Sequence, residues 1–149
     1  MKSKRLQPIQ EIAARSADDL SVAMAEAARR VAELERQHEQ LKTYREDYIR
    51  KSGNSAAVMD AVRLQNYRAF LDRLAEVLRL HVQKLGVARA EYESRRTQWS
   101  QKRIEAESLS KAMQRLRREE QQEAERREQI EGDETAARLS RAREPDLRR

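Results

Sequence analysis

Few side chains in this sequence are equipped for chemistry, and their spacing decides of what kind. The chain has two histidines, His38 and His81. Two imidazoles without a third organised ligand make a poor zinc site, and both fall on the apolar seams derived below, where a polar layer that sets register is the better reading. Carboxylates such as Glu119 and Glu123 stand four apart on one helix face. Acid–base work also needs a cleft that perturbs their pKa, and a thin helical rod offers none. The three glycines, Gly53, Gly86 and Gly132, are scattered, and none precedes Lys-Ser or Lys-Thr, so no phosphate-cradling loop is present. With no cysteine, disulfides and thiolate metal sites are excluded, which is compatible with an intracellular protein. We therefore expect no enzyme, no cofactor and no metal.

What remains is recognition chemistry. The chain has one Trp, four Tyr and one Phe, and four of these six aromatics (Tyr44, Tyr48, Tyr67 and Phe70) crowd around residues 51–55, the segment that reads as a turn. Aromatic side chains bury large areas with little conformational loss, so their position needs a reason.

The elements that carry them follow from composition. Of the 149 residues, 39% are charged and only 38% hydrophobic, with three Gly and two Pro, so a thick core is not expected. The enrichment lies in Glu, Arg, Lys, Gln, Ala and Leu, which favours long helices over disorder. A heptad register places Ala17, Met24, Val31, His38 and Arg45 at one seam position (a), and Ala13, Leu20, Ala27, Leu34, Leu41 and Tyr48 at the other (d). A second register runs through Leu64, Leu71, Leu78, Leu85, Tyr92, Trp99, Ala106 and Met113 at a. Its d positions are Tyr67, Leu74, His81, Ala88, Arg95, Lys102, Leu109 and Leu116.

Between the registers, Gly53 suits a left-handed helix end and Asn54 or Ser55 a cap for the next helix, with Asp60 near its first turn. So short a turn predicts an all-α fold: a long two-helix antiparallel coiled-coil hairpin forming a single domain. Helix one is expected over about 8–50, with Pro8 in its first turn, the turn over 51–55 and helix two over about 56–131. Counting back from the turn, helix one runs out opposite about residue 105, so helix two overhangs. In residues 115–128 ten of fourteen side chains are charged, which marks an isolated charged helix or one awaiting a partner. Gly132 and Pro145 predict a disordered tail over 132–149. Gly86 lies at an outward position of helix two, as a tolerated weakness or a bend point.

Behind the net charge of +6, both signs are interspersed along the chain: ten bases to nine acids up to residue 50, seventeen to thirteen over 51–131 and five to four beyond. Interspersed signs describe a solvated helical surface, and no nucleic-acid partner is expected. No apolar run is long enough to cross a bilayer, and the opening MKSKRLQP lacks a hydrophobic signal core, so the expectation is a soluble cytoplasmic protein with no direct membrane span.

In an antiparallel pair, the g positions of the two helices share one flank. Near the turn these are Gln37 and Tyr44 on helix one and Phe70 and Val77 on helix two, with 44 opposite about 70 and 37 opposite about 77. A g position in a rod this polar usually carries charge, as Arg30, Arg63, Lys84 and Glu91 do. Apolar residues there either thicken the core near the turn or form a half-exposed docking patch. Leu41, Tyr48, Leu74 and His81 border the patch from the seam.

The ordered set of these features resembles the FliJ family of the bacterial flagellar type III export apparatus. It begins with RLQPIQEIA, continues through LKTYREDY, and is closest in NYRAFLDRLAEVLRLH, with Asn66, Tyr67, Phe70, Leu74 and His81 in pattern; it covers residues 5 to about 131. The resemblance implies a stalk-like coiled coil whose terminal end associates with the hexameric export ATPase FliI. Another region contacts the export gate protein FlhA at the inner membrane, where the flagellar basal body stands, and a chaperone or chaperone-escort role with other export chaperones is also implied. The family's gate-contacting surface, carried over position by position, falls on Gln37, Leu41, Tyr44, Tyr48, Phe70, Leu74, Val77 and His81, with Val77 standing where a smaller side chain is familiar. The alternatives are a structural coiled-coil interaction protein and the equivalent stalk of a virulence injectisome.

Overall fold

The computed structural model describes residues 1–53 and 59–144, which form two α-helices, α1 (Lys2–Gly53) and α2 (Ala61–Arg143). No strand occurs among the described residues. The helices are packed against each other within two compact units, Ser16–Gln101 and Met1–Arg15 with Lys102–Arg149.

In Ser16–Gln101, Leu34, Leu85 and Ala88 form the buried cluster, with Val31 packed on it. His38 meets His81 and Tyr48 meets Tyr67, so residue numbers rise along α1 as they fall along α2 and the pair is antiparallel. The core is thin because it is built mainly from the a and d side chains. From Leu64 to Met113 every predicted seam position of α2 is buried or half-buried, including Arg95 and Lys102, whose aliphatic stems lie along the seam. On α1, Arg45 is the exception and is exposed. The rings of Tyr48 and Phe70, with centroids 4.4 Å apart, fill the seam near its level, and its guanidinium stays in water.

In Met1–Arg15 with Lys102–Arg149, the seam extends beyond the expected start of helix one. Ser3 is buried and Leu6 and Gln10 are half-buried, continuing the register of Ala13 backwards. The Ser3 backbone N–H donates to Glu120 Oε1 at 3.1 Å and its hydroxyl to Oε2 at 2.5 Å. A carboxylate of α2 thus satisfies donors that the first turn of α1 leaves unpaired, the work of an N-cap done from the neighbouring helix. These bonds hold a turn in front of Pro8, which lies inside α1 and not in its first turn. The facing helix accordingly reaches Glu120, not about residue 105, and the overhang begins there: residues 121–144 are all exposed.

The helix bounds differ from expectation at three further places. Gly53 ends α1 without a positive φ, so it is not a left-handed cap. Asn54 and Ser55, and the expected start of helix two at 56, lie outside the described residues. Asp60 caps α2: its Oδ1 accepts the Arg63 N–H at 2.8 Å, and its carbonyl accepts the Leu64 N–H at 3.0 Å. At the other end, α2 passes through Gly132 to Arg143, so residues 132–143 are helical where a disordered tail was expected. One glycine costs about 1 kcal/mol. Against that stand Ala136, Ala137, Arg138 and Leu139, all strong helix formers, with Arg141 and Arg143 placed favourably for the helix dipole in the last turn.

Candidate functional site

The candidate surface lies within Ser16–Gln101, beside the end of α1 and the start of α2. Both helices bring aromatic residues to one place because the g position of each falls beside the seam. Tyr48 is its centre. Its ring stacks on Tyr67 at 5.6 Å, approaches Phe70 at 4.4 Å and stacks on Tyr44 at 6.5 Å, while Tyr44 meets Phe70 edge-on at 6.4 Å. Aromatic pairs at such separations contribute about 0.5–1.5 kcal/mol each beyond their buried area, so the cluster stiffens the hairpin and fixes the outer ring. Phe70 is half-buried and bridges seam and flank, whereas Tyr44 remains 54% exposed.

One heptad further from the turn, the flank becomes polar at its floor. Leu74 and His81 are buried, Leu41 is half-buried, and Gln37 and Val77 are exposed. The His81 ring stacks on His38 at 5.7 Å, which makes the two one polar layer of the seam. Gln37 donates its amide to Glu33 Oε1 at 3.1 Å, and its carbonyl oxygen lies 3.4 Å from His81 Nε2. Gln37 was expected opposite Val77; its polar partner is the neighbouring d residue. The Nδ1 atoms of both histidines are buried without a hydrogen-bond partner.

All eight predicted residues therefore fall on one stretch of surface and its floor, with Tyr44, Val77 and Gln37 outermost. Sequence reasoning missed Gln40, which lines a shallow groove together with Gln37, Leu41, Tyr44 and His81. Its position one helical turn from both Gln37 and Tyr44 was the available signal. The rim is electrostatically quiet. Glu33 is held below the usual carboxylate range by hydrogen bonds from Arg36 and Gln37, and Asp47 pairs with Arg50 at 2.7 Å. Among the described residues no three His, Cys, Asp or Glu side chains converge on a site that could hold a metal ion. What the arrangement presents at its surface is a ring edge, an amide and aliphatic walls.

The chain matches the family model described as Flagellar FliJ protein over residues 1–145. It belongs to that family. Comparisons with curated proteins and with solved structures find no match. FliJ membership makes the chain a component of flagellar type III export, and the family is a non-catalytic component of that machinery. No helix among the described residues is long and apolar enough to cross a membrane.

Proposed function

We propose that this chain is the stalk of the export apparatus and acts as one coiled-coil domain coupling the export ATPase FliI to the gate protein FlhA. In this reading it is cytoplasmic and sits peripherally at the inner membrane beneath the flagellar basal body, also serving as an escort for export chaperones. The Tyr44–Tyr48–Phe70 cluster supports it most directly: a rigid aromatic patch on a flank that the seam does not require, with its outermost ring more than half exposed. Gln37, Leu41, Leu74, Val77 and His81 complete the gate-contacting surface, and the charged overhang of α2 supplies many weak polar contacts to the ATPase ring.

The test is capture of the cytoplasmic part of FlhA by the purified chain carrying Tyr44→Ala, alone and with Phe70→Ala. Capture is expected to fall while helicity and ATPase binding persist. Undiminished capture by the double variant rejects this surface as the gate contact.

A further inference from the structure

A second groove lies on the same flank of Ser16–Gln101, further from the turn. Arg30 of α1 and Leu80, Lys84, Val87 and Glu91 of α2 line it. On α2 these residues recur at three- and four-residue steps and so form one stripe, which Val77 begins. Val77 is 46% exposed, Leu80 44% and Val87 70%. Single exposed aliphatics are ordinary, but a line of them beside a groove matches the way one helix receives another.

Charge selects the occupant. Along this flank the acids have cations on their own helix: Glu33 pairs with Arg36 at 2.6 Å, Asp47 with Arg50 at 2.7 Å and Glu91 with Arg95 at 3.9 Å. Asp19 and Glu26, further along α1, are the exceptions. Among the described residues, Arg30, Arg73 and Lys84 on the same flank take no such partner. Around the aliphatic line at Val77, Leu80 and Val87 the flank thus presents paired acids and unpaired cations, and its unpaired acids lie further along α1.

We propose that this strip receives an amphipathic helix of a partner protein, apolar on one face and carrying carboxylates along its rim that meet Arg30, Arg73 and Lys84. A second copy of the chain fits less well, because it brings its own unpaired cations to the contact. The inference does not rest on the gate reading: Leu80, Val87, Arg30 and Lys84 lie outside the surface assigned to FlhA, and only Val77 is shared.

The probe is a fluorescein-labelled, lactam-stapled helical peptide with leucines at i, i+3, i+7 and i+10 and glutamates on both rims, titrated against the full chain by anisotropy. Saturable binding is expected. It should weaken by about tenfold or more, equivalent to about 1.4 kcal/mol, with Arg30→Glu plus Lys84→Glu, and likewise with Leu80→Ser plus Val87→Ser. All four side chains are exposed, so circular dichroism should show an unchanged fold. Tyr44→Ala with Phe70→Ala should leave this binding intact even if it abolishes FlhA capture. The proposal is overturned if the acidic peptide does not bind, if a peptide with lysines in place of the glutamates binds as tightly, or if neither strip pair weakens binding. It is also overturned if the chain sediments as a dimer that Val87→Ser dissociates, which assigns the strip to a second copy.

Discussion

At the scale of single residues, the polar groups of the seam carry the sharpest expectations. His38 and His81 each bury an unpartnered Nδ1, and a buried polar atom without a partner costs about 1–3 kcal/mol. Leucine at both positions removes that cost and keeps a side chain suited to a heptad seam. His38→Leu with His81→Leu is therefore expected to raise the urea midpoint, by about 1–3 kcal/mol in unfolding free energy. A lower midpoint would mean that the histidine layer holds the helix register, in which case mispaired contacts should be detectable by cross-linking. Glu120 carries a second expectation. Hydrogen bonds from the Ser3 hydroxyl and backbone hold its carboxyl below the ordinary glutamate range. A depressed folded pKa contributes stability that is present above the unfolded value and lost as pH falls through the folded one. Protection of the first-turn amides of α1 should accordingly decline as the solution is acidified across that window, and Glu120→Gln should flatten the pH dependence. Equal acid sensitivity in the two proteins would refute the cross-helix cap.

At the scale of the elements, the registers were legible because their signal is repeated many times. From Leu64 to Met113 fifteen consecutive a and d positions predict burial, and each is buried or half-buried. Boundaries were less legible because each depends on a single contact. Ser3 helical and buried requires Glu120, more than a hundred residues away in sequence, and local propensity around Pro8 gives no hint of it. At Gly132, the helix formers that follow outweigh the single breaker. The candidate surface was legible as a set, since heptad geometry placed Tyr44 beside Phe70, but the contact of Gln37 with His81 depended on side-chain direction that a register does not specify. Gly86 and Gly132 also separate two kinds of helical stability. A Cβ at either position meets nothing within 4 Å. Gly86→Ala lies where α2 pairs with α1 and should raise global stability by about 0.5–1 kcal/mol in a urea titration. Gly132→Ala lies in the exposed segment and should increase helical circular dichroism and local amide protection while leaving the urea midpoint in place.

At the scale of the whole chain, composition separates what holds the fold from what is available to partners. Nearly every charged side chain is outside the seam, and most ion pairs join residues three or four apart on one helix; Arg89 to Glu35 at 3.0 Å crosses between helices. Exposed pairs of this kind contribute about 0–1 kcal/mol each, so the thin line of apolar contacts carries most of the stability. The exposed segment 121–144 adds nothing to that line. Ending the chain after Arg127 keeps Ser3 bonded to Glu120 and removes only solvated helix. The urea midpoint should therefore stay within about 0.5 kcal/mol of the full chain. If the part of the overhang beyond Arg127 engages the ATPase ring, the same truncation should abolish FliI capture and leave FlhA capture at full strength. Retained FliI capture would place the ATPase contact at or before Arg127, and simultaneous loss of both captures would contradict the division of partners between the overhang and the aromatic flank. A shifted urea midpoint would instead show that the solvated helix makes contacts in the folded protein, and binding by the truncated chain would then report on stability as well as on contact.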